Sequence, residues 1–165
     1  MLRDRKSIEW VVDHSQMAFR PTVNTSGISP GDRFVLYAAL NALSNRPGEQ
    51  SRVFAFGAFL SVPKDEELEV AGKRYSQSCP IRIDLAVPPK QGAVFASHLA
   101  NLAFVKNKTH WAGYVHRTLA ALMPGDFEVL RRVIEQSGGS SFPAQRVAPS
   151  GPGLPFGRVR TDAPG

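Results

Sequence analysis

The sequence predicts an α+β protein built on a small, strongly bent, mixed β-barrel with short flanking helices. Apolar runs of strand length recur along most of the chain. The longest of them, residues 52–62, contains Gly57, and a glycine within a strand is typical of the bulge or bend that curves a barrel. Residues 124–137 instead carry apolar side chains at helical spacing. These three observations together favour a curved sheet with helices at its margins.

The first half of the chain is predicted to form three strands separated by loops. Residues 8–12 are a short apolar run that indicates the first strand. Residues 33–40 are the second strand, with an apolar run that predicts burial on both faces, and residues 52–62 are a long third strand with three phenylalanines. Residues 14–19 fit a helical turn or a loop. Residues 21–31 are rich in Thr, Ser, Asn, Gly and Pro, which predicts a loop.

The second half mixes strands, turns and helices. Residues 63–69 are predicted to be an acidic surface turn, and residues 79–87 a strand whose apolar and charged side chains alternate. The spacing of apolar residues in 94–102 predicts a short helix, and 106–109 is a basic turn. Residues 111–119 fit either a strand or a helix, and their content of Trp, Tyr, Val and Thr favours a strand.

The last helix and the C-terminal segment set the predicted domain organisation. Pro124 suits the first turn of a helix, and Asp126 suits its positive end. Residues 1–137 are therefore predicted to form one domain. Residues 138–165 are rich in Gly, Pro and Ser and bury too little apolar surface to offset their ordering entropy, so we expect a disordered tail. Its arginines allow weak contact with nucleic acid, but a passive tail is favoured.

Composition restricts the function classes. The 165-residue chain carries a net charge of +6, which fits a phosphate-rich partner such as DNA or RNA, although solubility alone also explains it. One cysteine and four histidines argue against a disulfide or a structural metal site, and no cofactor is expected. No apolar run reaches the ~18 residues of a membrane span, and the charged N-terminus is unlike a secretory signal. We expect a soluble, cytoplasmic, bacterial protein.

Residues 31–37, Gly-Asp-Arg-Phe-Val-Leu-Tyr, resemble the "GD-x-(apolar)-Y" strand of EVE domains. These domains belong to the PUA-like superfamily, which also includes the ASCH, YTH and PUA domains. The resemblance spans about residues 8 to 136. The stretch after Trp10, which includes residues 17–20, departs from the family because it is shorter and less aromatic than in other EVE domains. The other matching features, in family order, are Trp10, residues 53–62, 79–83 and 99–104, Trp111, Arg117 and the pair Asp126 and Phe127.

The resemblance implies a PUA-like, EVE-type module that binds DNA or RNA and holds a nucleobase, often a modified one, in an aromatic pocket beside the barrel. It implies no catalytic step. Flipped bases are held by stacking and by hydrogen bonds to their edges, and basic side chains hold the phosphates. The residues expected to contact the base are Trp10, Phe19, Tyr37 and Trp111, and those expected to contact phosphate are Arg20, Lys106, Lys108 and Arg117.

Other interpretations remain open. Trp10 also fits a core position, Trp111 fits a cap on the barrel, and the Tyr37 hydroxyl could reach only water. Asp32 in its Pro-Gly-Asp turn is expected to bond its own backbone rather than a ligand. A ribonuclease-like enzyme related to ASCH domains is the first alternative, with His110 or His116 as a general base, although no residue has a catalytic pattern around it. A small-molecule or protein interaction module is the second. The oligomeric state stays open.

Overall fold

One bent antiparallel sheet of six strands, flanked by short helices, forms the described part of the protein. The computed structural model describes residues 2–44, 46–116 and 119–138. The strands are β1 (Gln16–Phe19), β2 (Arg33–Ala38), β3 (Arg52–Phe59), β4 (Lys64–Val70), β5 (Lys73–Ala86) and β6 (Ala93–Val94). The helices are α1 (Arg5–His14), α2 (Ala112–Val115) and α3 (Pro124–Ser137), with 3₁₀ segments at Pro89–Gln91 and Phe95–Asn101. The predicted α+β class is therefore confirmed.

The long strand β5 joins the two parts of the sheet. Its first half pairs with β4 and β1, and its second half pairs with β3, so the strand order is β1-β5-β3-β2. Within the described residues, the first and last strands of this order, β1 and β2, do not pair with each other. The sheet is therefore not closed, and the predicted barrel is not confirmed. The sheet is also not mixed, because the named strands pair antiparallel and the parallel contact is an isolated bridge from Leu2 to Ala38.

Two register shifts along β3 bend the sheet. Phe56 pairs with Leu85 but Gly57 pairs with Ile83, so β5 carries an extra residue where the glycine lies. This is the irregularity that Gly57 predicts. In the pairing of β3 with β2, a second shift lies between Leu36 and Tyr37. Bulges of this kind increase local twist and redirect side chains, and the second one lies directly before Tyr37.

The N-terminal segment differs from its prediction. Residues 8–12 lie inside α1, not in a strand, because Asp4 caps the helix by accepting a hydrogen bond of 2.8 Å from the Ser7 N–H, and Ile8 and Val11 form its buried face. Residues 16–19 are β1, in place of the expected helical turn or loop. An apolar run of five residues has no periodicity that separates a strand from a buried helix.

Two further segments correct their predictions. Residues 64–70 form the strand β4 and not a turn, because the two-residue turn at Ala71 and Gly72, both with positive φ, pairs this exposed charged segment with β5. Residues 112–115 form a short helix, so the strand predicted at 111–119 is wrong. Arg117 and the segment 139–165, which holds nearly all of the predicted tail, lie outside the described residues.

The last helix follows its prediction and closes the core. In α3 the side chains of Phe127, Leu130 and Ile134 are buried, at the i, i+3 and i+7 positions of one face. This face packs against β2 and β3.

Among the described residues, no helix has both the length and the apolar character that a bilayer crossing requires.

Candidate functional site

Tyr37 and Trp111, two of the residues expected to contact a base, pack against the same buried phenylalanine. Phe95 is 1% exposed and begins the 3₁₀ segment after β6. Its ring meets the Tyr37 ring edge-on at 5.3 Å and the tilted Trp111 ring at 5.5 Å between centroids. Because both outer rings rest on one core side chain, their positions relative to each other are set by packing and not by loop conformation alone.

These two half-buried rings line a cleft of about 490 Å³. Its volume lies in the range of small-molecule pockets. The cleft is also lined by the aliphatic side chain of Val115. Its polar lining residues are Arg3, Glu49, Gln50, Ser51 and His116. A cleft that combines aromatic walls with a few polar groups suits a flat, partly polar ligand.

The N-terminal segment and β2 bring a cation to this cleft. Leu2 donates a hydrogen bond of 3.0 Å to the Tyr37 carbonyl and accepts one of 2.9 Å from the Ala39 N–H. This pairing places Arg3 at the cleft, where its guanidinium donates a long hydrogen bond of 3.4 Å to the carbonyl of His116. Arg3 is exposed, so its positive charge remains accessible to a ligand.

The Tyr37 hydroxyl is a neutral hydrogen-bonding group at physiological pH. Burial raises the pKa of Tyr37 above its usual value, and a hydrogen bond with the Ser51 side chain offsets part of that rise. Ser51 is 4% exposed and also lines the cleft. The two hydroxyls therefore give the cleft a polar point next to its aromatic wall.

The acidic lining residue is Glu49, in the loop before β3. The Ser44 hydroxyl donates a hydrogen bond to Glu49 Oε2. The backbone N–H of Glu49 donates a bond of 3.2 Å to the Arg46 carbonyl, which closes the turn that holds the side chain. Glu49 and Arg3 thus give the cleft both a negative and a positive group.

A loop fastened to α3 leads into Trp111. The carboxylate of Asp126, 2% exposed, accepts hydrogen bonds of 2.5 Å from the Ala103 N–H and 2.9 Å from the Phe104 N–H. Lys108 Nζ donates to the Leu102 carbonyl, and Lys106 is exposed. The two lysines therefore lie in an ordered loop only a few residues from the Trp111 ring.

The other predicted residues lie elsewhere. Trp10 is on α1, where its ring stacks on His14 at 4.8 Å, and it does not line the cleft. Phe19 is 2% exposed in the core, so its ring faces are covered by protein. Arg20 lies 6.0 Å from the Tyr75 ring and is also absent from the cleft lining. Arg117 lies outside the described residues. Tyr37 and Trp111 are thus the predicted base contacts that the fold brings together.

Asp32 bonds its own turn, as the alternative to a ligand role predicts. Its carboxylate accepts a hydrogen bond of 2.8 Å from the Ser29 N–H.

A second cavity, of about 540 Å³, lies between the loop that follows Arg20 and the strands β4 and β5. Its lining is mainly neutral, with a chain of hydrogen bonds from Thr25 to Gln77 and from Gln77 to Asp65.

Sequence reasoning missed several residues of the cleft, namely Arg3, Glu49, Ser51 and the supporting Phe95. The sequence suggests His116 only as a general base, and it lines the cleft beside Arg3. Phe95 follows the short strand β6, and its aromatic character is a usable signal for a core position. Glu49 lies in a polar loop, where a carboxylate is ordinarily solvated, so no local pattern marks it.

Within the described ranges, His, Cys, Asp and Glu side chains form no group of three or more that would serve as metal ligands. The chain matches no protein-family model and no curated protein.

Proposed function

We propose that this chain is a nucleic-acid-binding module that recognises a nucleobase, in particular a modified one, in the cleft between Tyr37 and Trp111. In this proposal the chain binds the base and catalyses no reaction on it. The observation that carries the proposal is the packing of both rings on Phe95 along one cleft. An unstacked base has two π-faces and a polar edge, and stacking on protein aromatic rings contributes about 1–3 kcal/mol per base.

The charges near the cleft support a polyanionic ligand. Arg3 lies at the cleft, and Lys106 and Lys108 are exposed in the loop that precedes Trp111. Phosphates flanking a bound base would meet these three cations, while the cleft itself holds the base. The net charge of +6 acts in the same direction at longer range.

The same proposal includes membership of the PUA-like superfamily, with an EVE-type pocket and a barrel-like sheet. Three of the resembling features lie near the cleft or support it. The GD-x-(apolar)-Y segment includes β2 and ends at Tyr37, Trp111 lines the cleft, and Asp126 with Phe127 opens α3. The pairing of β5 with strands of both parts of the sheet and the register shift opposite Gly57 are compatible with a strongly curved fold.

Replacing Trp111 with alanine is expected to weaken oligonucleotide binding about tenfold or more, because one stacking face is lost. Trp10→Ala is the matched control, since both tryptophans are half-buried and Trp10 lies outside the cleft. Binding would be measured by fluorescence anisotropy and stability by urea unfolding. If Trp111→Ala lowers stability and leaves affinity unchanged, Trp111 is a core residue and the proposal is wrong.

The ligand panel would contain short single-stranded DNA and RNA with unmodified, methylated and hydroxymethylated bases. Tighter binding to one modified base identifies the target. Absence of binding to the whole panel contradicts the proposed function.

Binding is also expected to weaken with salt. Contacts from Arg3, Lys106 and Lys108 to three phosphates of a single strand predict a slope of about −2 for log K against log salt concentration. Lys106→Ala should make the slope shallower by about 0.7, whereas Lys64→Ala, an exposed lysine on β4, should leave it unchanged. Salt-independent affinity would favour the small-molecule or protein interaction alternative.

The presence of His116 at the cleft beside Arg3 favours the ribonuclease-like alternative as a second candidate. A histidine near neutral pH can act as a general acid or base. Cleavage of RNA by the purified chain that is lost in His116→Ala, with the fold retained, would replace the reader proposal with this one.

A further inference from the structure

Glu49 is a polar group of the cleft that stacking and phosphate binding do not use. It is the carboxylate among the lining residues of the described chain. Ser44 donates to one of its oxygens, Oε2. The described part of the chain offers no hydrogen bond to Oε1 and no ion pair within 4.0 Å to either oxygen. An ionised carboxylate accepts about four hydrogen bonds, so this one retains acceptor capacity on both oxygens.

A carboxylate at the edge of a base pocket selects among the bases by their donors. Guanine presents two adjacent donors, N1–H and N2–H₂, which match the two oxygens of one carboxylate. Adenine and cytosine each present one amino group next to a ring-nitrogen lone pair, which a carboxylate repels. Uracil and thymine present one N–H between two carbonyl oxygens. Two parallel charge-assisted hydrogen bonds are therefore formed only with the guanine edge.

The residue that follows Glu49 supplies the complement to the rest of that edge. Gln50 and Ser51 also line the cleft. The side-chain amide of Gln50 is a donor, and guanine O6, next to N1–H, is an acceptor. The Ser51 hydroxyl is already hydrogen-bonded to Tyr37. Glu49 and Gln50 thus supply two acceptors and a neighbouring donor, which is the pattern complementary to N1–H, N2–H₂ and O6.

Resting on the proposed function, we propose that the cleft selects guanine, or a modified base that keeps these two adjacent N–H donors, with Glu49 accepting both. Tyr37 and Trp111 supply the stacking surface and Ser44 holds the carboxylate in place. Arg3 remains for the flanking phosphate. Modifications at other positions of the purine leave this recognition edge intact.

The test uses the full chain and single-stranded thymidine pentanucleotides that carry guanine, hypoxanthine, adenine or cytosine at the centre. Hypoxanthine differs from guanine only in lacking the N2 amino group. The difference in affinity between these two bases therefore measures the hydrogen bond from N2–H₂ to Glu49. We expect guanine to bind about tenfold more tightly than the others, as for a bidentate base contact. Glu49→Gln replaces one acceptor by a donor and should remove the preference for guanine, because a carboxamide instead matches the amino group and ring-nitrogen lone pair of adenine or cytosine.

The matched control is Glu67→Gln, an exposed carboxylate on β4 outside the cleft, which should keep the preference. Thermal unfolding of each variant shows whether the fold is retained. Binding that depends on Trp111 but shows no guanine preference, or a preference that persists in Glu49→Gln, overturns this inference and leaves the proposed function standing. Absence of binding to all four oligonucleotides and to the panel of modified bases overturns both.

Discussion

Gly57→Ala should destabilise the protein by about 3 kcal/mol or more, the largest single effect we expect. A Cβ atom at this position would lie 1.9 Å from the Arg82 carbonyl oxygen and 2.9 Å from Cζ of the Phe34 ring. The oxygen belongs to the backbone of β5, so it cannot move away without distorting the β3–β5 pairing. The methyl group therefore forces apart the two strands at the bulge that bends the sheet.

The measurement is urea unfolding, and the control is Gly125→Ala. Gly125 lies in the first turn of α3, and a Cβ atom added there would meet no other atom within 4 Å, so alanine should be neutral or stabilise by up to about 1 kcal/mol. A loss below about 1 kcal/mol for Gly57→Ala would show that β5 can shift locally and that the close approach is not a constraint.

Asp126→Ala is expected to lower the free energy of unfolding by about 2 to 4 kcal/mol. The substitution leaves the N–H groups of Ala103 and Phe104 without their charged acceptor, and an unsatisfied buried donor costs about 1–3 kcal/mol. Since the same carboxylate fastens the start of the loop that leads to Trp111, oligonucleotide affinity should fall as well.

Urea unfolding and anisotropy binding again measure both effects. Asp84→Ala is the control, because Asp84 is an exposed carboxylate paired with Arg82 and such pairs contribute about 1 kcal/mol or less. Equal stability losses in the two variants would contradict the structural role of Asp126. Unchanged affinity in a folded Asp126→Ala protein would mean that the Trp111 loop keeps its position without this anchor.

Several elements could be predicted from local sequence because their own residues carry the signal. The strand at 33–40 and the long strand at 52–62 correspond to β2 and β3, and the spacing of Phe127, Leu130 and Ile134 correctly predicts α3. Gly57 indicates its bulge, because a missing side chain in an apolar strand implies a close backbone approach.

Other elements depend on partners distant in the chain. The charged residues of β4 have no apolar pattern and form a strand because a tight turn pairs them with β5. Residues 8–12 have strand-like composition and form a helix because Asp4 caps them and because Ile8 and Val11 share one buried face. Short segments of this kind have no strong local preference, so tertiary contacts decide their structure.

The candidate site could likewise be predicted only in part from the sequence. Aromatic and basic residues with the right chemistry are visible in the sequence, and it alone singled out Tyr37, Trp111, Lys106 and Lys108. Only the tertiary structure separated Tyr37 and Trp111 from Trp10 and Phe19, by packing the first two on Phe95 along the cleft. Arg20, Lys106 and Lys108 are not among the residues that line the cleft. The tertiary structure also brought Arg3 and Glu49 to the same cleft, because a binding site joins side chains through space and their separation along the chain leaves no local pattern.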